Sequence, residues 1–212
     1  VIVAIDGPAG AGKSTVARLL AERLGLRVLD TGAMYRAITW KVLEAGAAIE
    51  DEAACAALSV ETQLGFSSAG ILIDGVLREE EIRSAAVDRA VSIVAAHTGV
   101  RAAIVPLQRE VARGGAVAEG RDTTTVVFPE AEQRFYLSAS AEERARRRSA
   151  ERGPEASYES ILAAIERRDH LDSTRADSPL RLGEGVVVVE TDALDAEGVV
   201  ERILDSISGA NA

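Results

Sequence analysis

Asp6-Gly7-Pro8-Ala9-Gly10-Ala11-Gly12-Lys13-Ser14-Thr15 follows directly on the apolar run Val1-Ile2-Val3-Ala4-Ile5. After it, Val16, Leu19, Leu20 and Leu24 recur at helical spacing before Gly25, which predicts a helix over 14–24. Gly7, a four-residue spacer, then Gly12-Lys13-Ser14 is a full phosphate-loop pattern in the strand–loop–helix setting that gives it meaning. Glycines let backbone N–H groups turn inward around an anion. The helix that follows begins with unpaired N–H groups and about half a positive charge. Lys13 is set to reach the β- and γ-phosphates of a nucleoside triphosphate, and Ser14 Oγ to ligate its Mg²⁺. The sequence holds only two lysines, Lys13 and Lys41, so a chain that otherwise prefers arginine keeps a compact cation at this one loop.

Working outward, short β-branched runs alternate with amphipathic stretches. Strands are predicted at 1–5, 27–29, 116–118, 134–137 and 185–189, and further helices at 33–43, 53–58 and 196–207. Strands that alternate with helices predict an α/β fold, a parallel sheet with helices on both faces. Between the second and third strands lies a long excursion, read as an inserted subdomain. Its alternating segment 71–76 predicts a hairpin, with 67–70 as the turn.

Composition narrows the function. The chain has 212 residues and a formal net charge of −10, with 47% hydrophobic and 27% charged residues. That suits one domain with a real core and excludes disorder for most of its length. The acidic balance argues against nucleic acid or an anionic membrane as partner, so an anionic ligand must be held by local groups. The single cysteine, Cys55, excludes an internal disulfide and a cysteine-built metal site, and fits a reducing, cytoplasmic compartment. No run is long enough to predict a transmembrane helix, and no secretory signal pattern opens the sequence. His97 and His170 read as surface histidines, and Cys55, Trp40 and Met34 as packing residues.

Three uses of the triphosphate compete. A GTP-hydrolysing switch needs a guanine-reading Asn-Lys-x-Asp segment, but the only asparagine is Asn211. A large ATP-driven machine needs more chain and a basic track for its polymer. A small-molecule kinase needs a second, arginine-lined pocket, and strand ends in open α/β sheets are where it belongs. Those ends carry Asp30-Thr31-Gly32, leading into Tyr35 and Arg36, and Glu119-Gly120-Arg121-Asp122. Arg121 and Asp122 read either as ligand groups or as a surface pair. Ser92 and Arg101 fall in a helix–break–helix with the break near Thr98-Gly99, on faces that are equally readable as solvated. At about 100° per residue, Arg168, Asp172 and Arg175 fall within about 60° of one helical face. Arg144, Arg146, Arg147, Arg148 and Arg152 read mostly as a solvated helix face. One or two of them would reach the triphosphate from a lid whose tip is expected at 151–157.

Four segments in order resemble bacterial cytidylate kinases: Ile5–Ser14, Leu29–Arg36, Glu119–Asp122 with Thr125–Pro129, and Arg168–Arg175. The resemblance spans nearly the whole chain. It implies a nucleoside monophosphate kinase fold with a five-stranded core (about 1–49, 114–145 and 176–212), a monophosphate-binding insert (about 50–113) and a lid with flanking helices (about 146–175). It implies transfer of a phosphoryl group from ATP to CMP or dCMP in pyrimidine metabolism, with Mg²⁺ carried as Mg-ATP, by a cytoplasmic monomer. Carried over residue by residue, Gly7, Pro8, Ala9, Gly10, Ala11, Gly12, Lys13, Ser14 and Thr15 bind ATP, with Ser14 at the metal. Arg36, Arg121 and Arg175 hold the acceptor phosphate and, with Lys13, are the catalytic set. Ser92, Arg101 and Asp122 read cytosine, Arg168 and Asp172 address the sugar, and Thr31 stands near the nucleotide. Glu119 is expected to contact Mg²⁺ through water. The sequence departs from the family where Thr123 replaces Ile or Met, Thr124 replaces Gly, and Gly99 replaces a common proline. The first two are expected to tighten or misplace the Arg121-Asp122 loop, the third to loosen the turn before Arg101. A kinase for UMP, AMP or a non-nucleotide, and an ATP-binding relative without activity, remain open on the residues alone.

Overall fold

A computed structural model describes residues 1–67, 69–152 and 157–209. The expected lid tip falls largely outside the described residues, as does Ser68 of the expected hairpin turn. In chain order the elements begin with β1 (Ile2–Asp6), α1 (Lys13–Leu24), β2 (Arg27–Asp30), α2 (Thr31–Glu44) and α3 (Glu52–Glu61). Next come β3 (Leu64–Ser67), β4 (Gly70–Ile73), β5 (Val76–Leu77), a 3-10 turn (Glu81–Arg83), α4 (Ala85–Val94) and α5 (Thr98–Val111). The chain continues through β6 (Ala116–Gly120), a π-helical turn (Thr123–Val127), β7 (Gln133–Ser138) and α6 (Ala141–Arg152). It finishes with α7 (Tyr158–Thr174), β8 (Val187–Glu190) and α8 (Ala196–Gly209). Backbone proximity divides these into two compact units. One comprises Val1–Leu29, Ala112–Thr174 and the chain from Ser178; the other comprises Asp30–Val111 with Arg175–Asp177.

The first unit is built on a five-stranded sheet in the order β2-β6-β1-β7-β8. β1 runs parallel to both β6 and β7, and β7 parallel to β8. An apolar strand covered on both faces belongs in the middle, and β1 is there. Val3, Ile5, Val117, Phe135, Leu137 and Val189 interlock with Val16, Leu20, Val200 and Ile203 from α1 and α8. Each large side chain so buried contributes about 1.5–3 kcal/mol. α6 and α7 pack through a smaller cluster of Ala145, Ile161 and Ile165.

In the second unit, helices start where short polar side chains cap them. Asp30 accepts from Ala33 N at 2.8 Å, Asp51 from Ala54 N at 3.0 Å and Ser84 from Val87 N at 3.4 Å, each cap being worth about 1 kcal/mol. The expected hairpin is present as the antiparallel sheet β3-β4-β5. The break between α4 and α5 lies at 95–97, slightly before the expected Thr98-Gly99, because Thr98 already opens α5. Gly99 does not loosen a turn, as expected, but permits a close crossing. A Cβ there would lie 2.7 Å from Ala56 Cβ on α3, and its N–H donates to Glu52 Oε1 at 3.2 Å. Among the described residues no single helix is long and apolar enough to cross a membrane. The bent pair α4 and α5 passes by length and composition, but meets at 100° and buries Val87, Val91, Val94, Val100 and Ile104.

Candidate active site

The phosphate loop sits where β1 delivers it. Gly7 (φ 153°) passes so close to β7 that a Cβ would run into the Leu137 carbonyl oxygen, which reserves the position for glycine. Lys13 is 5% exposed, and its Nζ donates to Pro8 O at 2.8 Å. Burial, then the charge of Arg121, and further off that of Arg168, lower its pKa to about 7, while Glu119 and Asp6 pull the other way. Ser14 Oγ donates to Glu119 Oε1. This hydroxyl and carboxylate are hard oxygen donors side by side, a set that suits Mg²⁺. Beside the loop opens a cleft of about 370 Å³ lined by Gly12, Ser14, Thr15, Arg147, Thr191 and Asp195 among others. Arg147 is held at its wall by hydrogen bonds to Thr191 Oγ1 (3.3 Å) and O (2.6 Å).

Arg121 does not pair with Asp122. Its Nε donates to Asp172 Oδ2 at 2.9 Å, and Arg168 Nε stands 3.9 Å from the same oxygen. Burial opposes the charge on Arg121, but Asp172, with Glu119 and Asp169 behind it, outweighs burial and raises its pKa. Asp122 is itself 3% exposed. Arg168 and Asp172 share α7 as expected, but the stripe stops there. The helix ends at Thr174, and Arg175 lies beyond it in the second unit, so one helical face does not carry all three.

Two features of this unit were not foreseen. Arg144, expected on a solvated helix face, is 4% exposed. It donates to Ala9 O in the loop (3.1 Å), to Ala139 O (3.1 Å) and to Asp169 Oδ2 (2.6 Å), because α6 turns this position inward against the loop. The second is the carboxylate of Asp6, fully buried at the end of β1. Thr123 gives Oδ1 its N–H and its hydroxyl, both at 2.7 Å, and Thr124 gives Oδ2 its N–H at 2.8 Å and its hydroxyl at 2.6 Å.

The second unit gathers the remaining predicted residues. On α2, Thr31 is buried and Arg36 donates to Asp88 Oδ1 at 2.5 Å and to Ile82 O at 3.1 Å. Ser92, buried, stands one helical turn after Asp88 on α4. Arg101, 3% exposed, donates to Ala95 O at 3.3 Å, stacks over the Tyr35 ring with 5.3 Å to its centroid, and lies 3.6 Å from Asp177 Oδ1. Neither Ser92 nor Arg101 is a solvated face residue. Asp88 was legible in principle as the residue four before Ser92. Asp177 was not, since nothing local marks it.

The cytidylate kinase family model matches residues 3–209. A curated cytidylate kinase from Caldanaerobacter subterraneus subsp. tengcongensis is 46% identical, covering 97% of this chain and 93% of that protein. Another, from Rhodococcus opacus, is 48% identical over 98% of this chain and 94% of that protein. Among solved structures, an uncharacterized protein from Eubacterium ventriosum superposes with a TM-score of 0.53 at 13% identity, covering 98% of each chain, a likeness of fold alone.

Proposed function

The chain belongs to the cytidylate kinase family, and from that premise we propose how its own residues carry phosphoryl transfer from ATP to CMP or dCMP. The span Gly7–Thr15 holds the ATP phosphates, with Lys13 against the β- and γ-groups. Ser14 Oγ and Glu119 would hold Mg²⁺, which when bound offsets negative charge on the phosphate oxygens. The attacking atom is an oxygen of a phosphate monoester, with a second pKa of about 6, so it is ionised at neutral pH and needs no base. The protein has only to neutralise and align two anions for in-line transfer.

Arg36, Arg121 and Arg175 are assigned to the acceptor phosphate, Arg168 and Asp172 to the sugar, and Thr31 to the nucleotide's surroundings. Asp172 also orients Arg121 and Arg168 through the contacts described above. Ser92, Arg101 and Asp122 are assigned to the base. Cytosine presents an N4 amino donor beside N3 and O2 acceptors, a pattern that a carboxylate acceptor and guanidinium and hydroxyl donors complement. Uracil turns an O4 acceptor toward the carboxylate and is repelled. The segments 50–113 and 146–175 serve as monophosphate-binding insert and lid. We take the enzyme to act as a single chain in the cytoplasm, in keeping with its lone cysteine and its net charge of −10.

The observation that carries this reading is the crowding of cations in the first unit. Lys13 is buried with the charges of Arg121 and Arg168 so near that its own proton is weakened, an arrangement completed by polyanionic ligands. A coupled assay offering CMP, dCMP, UMP and AMP with Mg-ATP tests it. Turnover of CMP and dCMP well above UMP and AMP is expected; preference for UMP or AMP, or no turnover at all, overturns it.

A further inference from the structure

We propose that Asp6, clamped by Thr123 and Thr124, is a positioning residue that fixes the Arg121-Asp122 turn relative to the phosphate loop. The inference deepens the functional reading above and rests on it. Asp6 ends β1 immediately before Gly7, the first glycine of the loop. The same carboxylate receives four hydrogen bonds from the two residues that follow Arg121-Asp122. Four is the number of lone-pair sites on a carboxylate, so each oxygen is filled by one backbone and one side-chain donor. A buried carboxylate is costly unless it is so satisfied, and bonds to an ionised acceptor are about twice as strong as neutral ones. Asp6 therefore tolerates little displacement of either threonine.

The clamp acts on a turn that needs holding. From Thr123 the backbone enters a π-helical turn, with the N–H groups of Thr125, Val126 and Val127 all directed at Asp122 O. Single π-helical turns are rare and are frequently found at functional sites. Asp122 stands at its start and Arg121 just before it. Thr123 and Thr124 do not merely crowd the Arg121-Asp122 loop. Their hydroxyls supply half of the donors to Asp6. The carboxylate also lies near enough to Lys13 to oppose, behind Glu119, the lowering of its pKa. One group thus sits between the element that holds the donor and the turn assigned to the acceptor.

The test is the pair Thr123→Val with Thr124→Val, which keeps shape and both backbone N–H donors but removes both hydroxyls, against Thr123→Ser with Thr124→Ser, which keeps them. The valine pair is expected to lower kcat/KM for CMP about 10- to 100-fold, to narrow the CMP-over-UMP preference, and to leave KM for ATP within about threefold. The serine pair should return all three toward the parent. Hydrogen exchange at amides 121–127 reads the same clamp without turnover, and should quicken in the valine pair only. If the valine pair fails to fold, Thr124→Val alone is read in the same way. A fall in Tm with unchanged exchange at 121–127 and an unchanged CMP-to-ATP balance overturns the clamp. Failure of the parent protein to use CMP overturns the functional reading instead, and leaves the exchange measurement to decide the clamp.

Discussion

Lys13 Nζ donates to the carbonyl oxygen of Pro8 at 2.8 Å, so the loop's ammonium rests against its own backbone with Arg121 and Arg168 crowding its charge. Its pKa of about 7 makes the loop a proton acceptor on ligand binding. At pH 8 most of the ligand-free lysine is neutral, and arrival of the triphosphate restores the charge. Binding of Mg-ATP at pH 8 should take up about one proton, read by calorimetry in buffers of different ionisation enthalpy. Lys13→Met should abolish the uptake, and equal uptake by that variant would remove the assignment.

The same shift has a consequence for stability. Between about 7 and the ordinary lysine value of 10.5 the unfolded chain binds a proton at Lys13 that the folded chain has lost. Stability from this group therefore rises with pH through that window, and is lowest below it. Denaturant titrations of the parent and Lys13→Met should differ in slope against pH there, the parent gaining relative to the variant. Parallel profiles would show that the buried lysine keeps its ordinary pKa.

Asp122 separates base reading from ATP binding. Asp122→Ala is expected to lower kcat/KM for CMP at least about 100-fold, since a site built around a hydrogen bond is left with unmatched groups. The Kd for ATP should stay within about threefold. Equal loss of both would assign Asp122 to the fold rather than to cytosine.

Arg144 holds the loop from behind. Arg144→Met strands Asp169 and two carbonyl groups, and should cost about 3–5 kcal/mol in chemical denaturation. KM for ATP should rise along with this loss, because the Ala9 carbonyl loses its donor. A variant that keeps parent stability would return Arg144 to the solvent-facing role its arginine-rich surroundings imply.

Gly99 tests the crossing of α3 and α5. Gly99→Ala should cost about 1–3 kcal/mol through overpacking against Ala56. Adding Ala56→Gly should recover part of that cost, a favourable coupling in the double-mutant cycle. Additive losses would mean that the helices separate without penalty.

What the sequence made legible follows from the range of the interactions involved. The phosphate loop and the alternation of strands and helices are local, and periodicity or spacing exposes them. Arg144 hides in a helix of charged residues with no apolar stripe to give its orientation, and its burial is decided by Ala9, 135 positions away in sequence. The threonine pair showed only as a departure from family pattern, since its partner Asp6 lies 117 and 118 positions back. Arg175 was placed on the α7 face because counting assumes that a helix continues, whereas this one stops at Thr174. Helical spacing brings Asp88 within one turn of Ser92, but only the fold brings Arg36 to it.

The central place of β1 also bears on how the chain comes to be folded during synthesis. Ile2 is matched to Ala116 and Val3 to Gln133, so the middle of the sheet emerges from the ribosome first and its flanking strands only after more than a hundred further residues. Until then the apolar segment has α1 to pack against, through Val16 and Leu20, but neither of the strands that flank it. Non-local pairing of this kind slows folding and leaves hydrophobic chain open to aggregation or chaperone capture. Nascent chains halted before β6 are accordingly the ones that should depend most on such help.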